Sequence, residues 1–598
     1  MPAKKRRHSK ISGDDGEDRI FVGVDFGTTF SGRLTKSRIA YAWGKEKNAS
    51  ERIREISIWP GRDNNSFKKI PTKIAYCDSG SAQDVKWSYQ LKPTDDCLQC
   101  FKLLLDPRQE FPSWVDPEDL KNQLKSLNKT AEDIVADYLR HMLDATKYAL
   151  ERRFGAYMAK NTPLDFILTV PAVWTDAAKE ATKRAALAAG MSNNLQLISE
   201  PEAAAIWVLN NMIELKPTIG DNFLICDAGG GTVDLITYEI QNTAPLSLRE
   251  AVAGEGALCG AIFLNLQFEE LVKSRVNKRT WNRIRYKAPG IWNEALACFE
   301  RDIKHQFQPP TEPSGNHNTK YLVALPGIPD DPDAGIKDGW ISLSADEITT
   351  MFDKVTGQVI DLIKNQISAA QTKKKSPKSV ILVGGFGSSL YLYEKLKQAL
   401  AEPAVDSGRP SVTVHQATDA WTAVGRGAVL RGMSVKDQVI SRITPYHYGV
   451  CADHDYDKRK HPGITPEKCV ATGRLLAVDQ MTWFVKKGKA ISGAGLQTHA
   501  FNLYFDQDDI PEDFSEILYY CREDTAPTSF NDKTVVPLCD LKIKTKGLRF
   551  ESYGKFKKLT YSLSVKKMSG GLVFGMNIRD NVINSVQTNW RPVSSSSG

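Results

Sequence analysis

Several things are scarce in this chain of 598 residues, and each absence removes a class of protein. No run of about 18 apolar residues occurs, so no membrane span is expected. The first residues, MPAKKRRHSKISGDDGED, are polar and lack the apolar stretch of a secretory leader. Charge of one sign is not in large excess. Against 79 Lys and Arg stand 71 Asp and Glu, a net +8 that is small for this length and does not indicate nucleic acid as a partner. The ten cysteines are scattered, and Cys97 and Cys100 form one CxxC with no second pair to complete a metal site. Reduced thiols in the cytoplasm are expected. KKRRHSK fits a solvated basic tail and also a nuclear import patch, which leaves the nucleus as a second compartment. Also missing are the GxxxxGK[ST] loop and a GxGxxG that opens a helix after a strand.

What is present is enough apolar sequence, 41%, for about three to four domain-sized units. Residues 1–18 are basic, then acidic, and nearly free of apolar side chains, so they read as a disordered tail. From Arg19 to about residue 435 short apolar strands alternate with long helical stretches, which predicts α/β layers in two lobes, about 19–215 and 216–435. PPTEPSGNHNTK and LPGIPDDPDAGIKDG interrupt this region and read as surface loops. From 440 to 592 strand-like segments such as THAFNLYF, EILYYC and LTYSLSV predict a small β-rich domain, followed by a tail at 593–598. No helical segment follows those strands.

Three glycine stretches carry the chemistry. ICDAGGGTVDL places Gly229, Gly230 and Gly231 between two strands, where glycine is unfavourable unless a turn or a close ligand requires it. Taken alone it fits a hairpin turn as well as a phosphate cradle, in which backbone N–H groups and the Thr232 hydroxyl converge on an anion. VGVDFGTTFSG repeats the plan: Asp25, Gly27, Thr28 and Thr29 parallel Asp227, Gly229 and Thr232. Two such hairpins about 200 residues apart suit two lobes that share one cleft. The third stretch, VILVGGFGSS, joins a strand to a helix, and Gly384 and Gly385 would let backbone lie against a flat ligand such as a base and ribose.

These segments, in this order, resemble the actin-like ATPase superfamily. VPAVWTDAAKEATKRAALAAGM followed by LQLISEPEAAAIWVL narrows the resemblance to the heat-shock protein 70 family, over about residues 19–432. The fold class implied is α/β, an actin-like ATPase fold of two ribonuclease-H-like lobes around a nucleotide cleft. Ser199 and Glu202 also form a capping box for the SEPEAAA helix, and Thr175 and Gly190 cap the helix before it, which leaves Glu200 without a structural duty.

The resemblance implies ATP with Mg²⁺, hence carboxylates around the ion, donors for phosphate oxygens and a group that orients water. Asp25 and Asp227 would face the ion and its water shell. Thr28, Thr29, Thr232 and the N–H groups at Gly27 and Gly229–Gly231 would hold the β- and γ-phosphates. By the same resemblance Glu200 would bind a metal-bound water, Asp227 would accept the proton, and Asp234 would support the site from behind. Lys102 stands where the family has its active-site lysine, and a snorkelling surface lysine is the alternative. Glu300 and Lys304, in CFERDIKHQF, match the adenosine-clamping helix, against the alternative of an exposed charged helix face.

Other segments depart from the family. RGMSVKDQVISRITPYHYGV lacks the apolar linker between domains, and no helical lid is found after the strands. The expected protein is a divergent, lidless member: a slow ATPase whose nucleotide state controls polypeptide binding, with client polypeptides and co-chaperones as partners. Two alternatives are an ATP-sensing scaffold that hydrolyses negligibly and a small-molecule kinase of the same superfamily.

Overall fold

The computed structural model describes residues 19–27, 36–44, 49–61, 68–77, 84–92, 95–106, 116–191, 194–304, 306–308, 319–401, 412–434, 438–492, 496–568, 571–578, 581–582 and 587–590. The basic N-terminal stretch, Thr28, Thr29 and most of PPTEPSGNHNTK lie outside them.

Two sheets of the mixed α/β region follow one plan. In the first, Ile20–Asp25 and Lys36–Trp43 form an antiparallel hairpin, Arg54–Glu55 extends it on one side, and Leu164–Val170 and Gln196–Ser199 run parallel on the other. In the second, Asn222–Ala228 and Val233–Thr243 form the hairpin, Leu246–Glu250 extends it, and Ser379–Val383 and Thr413–Gln416 run parallel beyond it. Numbered within each sheet, the order is third, second, first, fourth, fifth in both. The central strands are apolar on both faces, as strands covered by helices on each side must be.

Between the sheets lie two helices, Glu200–Asn211 and Ala423–Met433, in one apolar cluster with residues of both sheets, including Ile167, Phe223 and Ile225. They cross so closely that a Cβ on Gly427 would lie 1.7 Å from the Ala203 carbonyl oxygen, so only glycine fits. Helix boundaries follow local chemistry. Thr175 caps Asp176–Ala188 by accepting the Ala178 N–H, and Gly190 takes a left-handed φ of +92° just past its end.

Two readings from sequence change. LPGIPDDPDAGIKDG is not only surface loop: Ile336–Lys337 pairs with Trp340–Ser344, which also pairs with Lys320–Ala324, and Ala334 and Ile336 are buried. Ser199 does cap its helix through the Glu202 N–H, but the Glu202 carboxylate turns away to Arg442 instead of closing a capping box.

Beyond residue 438 the chain is β-structured. Val439–Ile443 adds to the second sheet parallel to Leu246–Glu250, and Ala490–Ser492 pairs outside it. The remaining long strands form two sheets, ordered Glu467–Lys468, Leu475–Val485, His447–Asp455, Asp513–Cys521, Val536–Lys544, Gln587–Trp590, and Leu496–Asp506, Phe556–Met568, Gly571–Ile578, Asn581–Val582. Their apolar faces share a cluster that includes Tyr448, Leu518, Cys539, Leu563 and Met576. KKLTYSLSVKKM and GLVFGMNI pair antiparallel as the alternation of their residues requires.

Candidate functional site

Each α/β hairpin puts an aspartate at a strand end, and the register decides what faces it. Asp25 lies directly across from Arg38, and its Oδ2 is 3.5 Å from the Arg38 Nη1. Asp227 lies directly across from Asp234. Arg38 is buried and faces Asp25, Glu55 and Asp227 together, so one guanidinium from the first hairpin looks onto the acid of the second. Burial lowers its pKa, and these three carboxylates oppose that shift.

Glu200 opens the SEPEAAA helix and points at Lys102, whose Nζ is 3.5 Å from Glu200 Oε1. Lys102 is buried, not snorkelling. It donates to the Phe26 carbonyl at 2.5 Å and lies 5.1 and 4.9 Å from the ring centres of Phe26 and Trp174. Burial raises the Glu200 pKa to about 8, with Asp234 and Asp25 adding to the rise and Lys102 opposing it. Asp227 is pushed well above the usual carboxylate range by burial and by Glu200, Asp234 and Asp25. Asp234 is also raised, chiefly by burial, although it accepts the Val173 N–H at 3.3 Å. Burial thus disfavours ionising these acids together, and a cation brought among them would favour their charged forms.

The glycine hairpin closes on itself through the Gly229 N–H, which donates to the Thr232 carbonyl at 2.9 Å, so that donor is already used. The carbonyls of Gly229, Gly230 and Gly231 accept from Ala261, Ile262 and Gly260 at the start of the next helix, Ile262–Arg275. Gly384, at φ +85°, lies against the same hairpin, because a Cβ there would be 2.3 Å from Asp227 Oδ1. Among the described residues a Cβ on Gly385 would meet only the Lys69 Nζ, at 3.9 Å.

Glu300 and Lys304 sit on a π-helical turn, Phe299–Lys304, and both are buried rather than on an exposed face. Asn265 joins them, donating to Glu300 Oε1 at 2.8 Å and accepting from Lys304 Nζ at 2.9 Å. Burial lowers the Lys304 pKa to about 8, opposed by Glu300.

The structure thus gathers Asp25, Lys102, Glu200, Asp227, Thr232 and Asp234 around the two hairpins, with Gly384 pressed against Asp227. Arg38, Asn265 and Trp421 were not anticipated. Counting across the first hairpin from Asp25 would have found Arg38; Trp421, with Arg38, Lys68 and Lys69 all within 5.5 Å of its ring, has no local signature.

A family model described as Hsp70 protein matches residues 118–468, more than half of the chain. The chain belongs to the Hsp70 family. Its membership implies an actin-like ATPase fold, with which the mixed α/β architecture of several sheets is consistent. Two human relatives are distant: heat shock 70 kDa protein 12A and heat shock 70 kDa protein 12B are each 23% identical to this Hsp70-family chain, over alignments that cover 79% of it and 78% and 76% of their own lengths. Mouse heat shock 70 kDa protein 12A is equally similar. Among the described residues no helix is long and apolar enough to cross a membrane, and no group of three or more His, Cys, Asp or Glu is spaced to hold a metal directly.

Proposed function

We propose that the chain is an ATPase of the Hsp70 type whose nucleotide state controls polypeptide binding by its β-structured part. One observation carries the reading: two hairpins of the same plan bring Asp25 and Asp227 to a common point with the Lys102–Glu200 pair. On this reading 19–435 is a two-lobed ATPase, 440–592 a divergent β domain, and the setting the cytoplasm.

The residues present fit ATP with Mg²⁺. The described carboxylates are not spaced to ligate an ion directly, which suits Mg²⁺, an ion that keeps several waters and takes further oxygens from phosphate. Bound there, the ion would neutralise charge that develops on the transferring phosphoryl group. Asp25, Glu200 and Asp227 would hold its water shell. Lys102 and the Thr232 hydroxyl would face phosphate oxygens, as would the N–H groups of Gly230 and Gly231. Asp227, whose proton affinity is raised first by burial and then by Glu200, Asp234 and Asp25, would accept a proton from the attacking water once a bound cation holds it as the carboxylate. Gly384 and Gly385 would seat the base and ribose, with Glu300 and Lys304 on the far side.

A specific feature favours a second reading, an ATP sensor with negligible turnover. Arg38 already neutralises part of the charge on Asp25, so a cation must compete with it. Steady-state phosphate release and nucleotide binding measured side by side separate the two. The ATPase reading expects turnover that falls about a hundredfold or more in Asp227→Asn and in Thr232→Ala, with binding of ADP retained. Tight ATP binding without turnover in the wild type selects the sensor, and no nucleotide binding at all removes both.

A further inference from the structure

Away from the hairpin tips, the first sheet carries a cavity of about 670 Å³. Its wall is basic. Arg54 comes from the edge strand, Arg152 and Arg153 from the last turn of Ala131–Phe154, Lys68 from the approach to Ile70–Pro71, and Arg426 from Ala423–Met433. Each arginine has a local structural reason: edge strands favour charge, and cations suit helix C-termini. Those reasons do not explain why residues from separate elements face one concavity.

Among the described residues the one acid on that wall, Glu55, is committed. It accepts Lys68 at 2.8 Å and Arg426 at 2.9 Å, and its side chain is buried. Among the described residues no ion pair neutralises Arg54, Arg152 or Arg153, and all three are exposed. Tyr41 supplies a hydroxyl between them: burial raises its pKa, and Arg153 and Arg54 are the two groups that oppose the rise. Tyr148, exposed on the rim, lies under Arg152 at 6.0 Å.

We propose that this cavity binds a small polyphosphorylated molecule, with Arg54, Arg152 and Arg153 as its phosphate-holding residues. The volume falls within the few hundred to about 1,000 Å³ of small-ligand sites. Guanidinium forks match phosphate oxygens in pairs, and three unneutralised forks call for several negative charges on one compact body. A single carboxylate would leave most of that charge unmet. The same chemistry occurs free, as an inositol polyphosphate, and at a membrane, as a phosphoinositide headgroup. The cavity shares Glu55 and Lys68 with the surroundings of Arg38, but none of the hairpin acids lines it, and the proposal does not depend on the ATPase reading.

Two probes test it on the full chain in the presence of excess Mg-ADP, which fills the cleft if the cleft takes nucleotide. Inositol hexakisphosphate is titrated calorimetrically, and phosphatidylcholine vesicles with a small fraction of phosphatidylinositol 4,5-bisphosphate are assayed by co-sedimentation. Binding of either probe, weakened about tenfold or more by Arg152→Gln with Arg153→Gln and unchanged by Lys458→Gln with Lys460→Gln, supports the site. The probe that binds names the source. All four positions are exposed, so these variants should fold. The proposal is overturned if neither probe binds, or if the two double variants weaken binding alike, which would mark a nonspecific charge effect.

Discussion

At the scale of single residues, the glycines at 384 and 385 make a controlled contrast. They are neighbours in the strand-to-helix turn, yet a side chain at one has no room and at the other meets almost nothing. Gly384→Ala must adopt a left-handed φ and push against Asp227 Oδ1 and the Ala228 carbonyl, so it should lower stability by about 2 to 4 kcal/mol in urea unfolding. Gly385→Ala should unfold like the wild type. If the turn holds a nucleotide, Gly385→Ala should nevertheless weaken ADP binding, since its near neighbour among the described residues is the tip of Lys69 alone. Unchanged affinity in a stable Gly385→Ala would move the base elsewhere. Lys102 was legible only through the family resemblance, not from the residues around it. FKLLLDP gave no reason to bury an ammonium, and only the fold brings Phe26, Trp174 and Glu200 around it.

At the scale of elements, the apolar strands and the hairpin joints were legible because strand alternation, glycine and hydroxyl residues are local signals. The partnership of elements was not. Val439–Ile443 reads as a short strand in sequence, but that it joins the second sheet follows from edges far away in the chain. Nor did the sequence announce Asn265 as the bridge between Glu300 and Lys304, because a lone Asn in a helix has many structural uses. The β strands hold one titration that can be tested. Glu516 on Asp513–Cys521 is raised from 4.5 to about 7 by burial, and the hydroxyl of Tyr561 on Phe556–Met568 donates to it and opposes the rise. A carboxyl with a raised folded pKa binds its proton more tightly folded than unfolded. Its stability contribution is therefore complete below about pH 4.5 and is lost as pH rises through 7, on the order of 3 kcal/mol. Unfolding of the β part followed from pH 5 to 8 should show this decline in the wild type, and Glu516→Gln should flatten it; an equal slope in both would assign the decline to other groups.

At the scale of the whole molecule, the question is whether the cleft and the β strands respond to one another, and one residue sits where they meet. Arg442, on a strand that joins the second sheet, is bound by Glu202 of the SEPEAAA helix and lies 3.7 Å from Glu250 on the neighbouring strand. Glu202 is two residues from Glu200, the partner of Lys102, so a shift of that helix on nucleotide binding would act on both ends. The two acids are buried, and replacing Arg442 by Met would take its cation from Glu202 while Lys179 still faces Glu250, at a cost of about 3 to 5 kcal/mol. Saturating nucleotide opposes such a loss by mass action, about 2.7 kcal/mol at a hundredfold excess over its dissociation constant, provided that it binds only the folded chain. Amide hydrogen exchange can tell local from global effects. In the wild type, Mg-ATP should slow exchange at 439–443 and at 246–250 as well as around the hairpins. In Arg442→Met the hairpins should still be protected by nucleotide, while 439–443 exchanges as fast with ATP as without it. Protection that stays at the hairpins in both proteins would mean that nucleotide is sensed locally and that the strand is a fixed seam. Protection lost everywhere in Arg442→Met would instead make Arg442 a requirement for the fold of the cleft itself, since Glu202 and Glu200 share one helical turn.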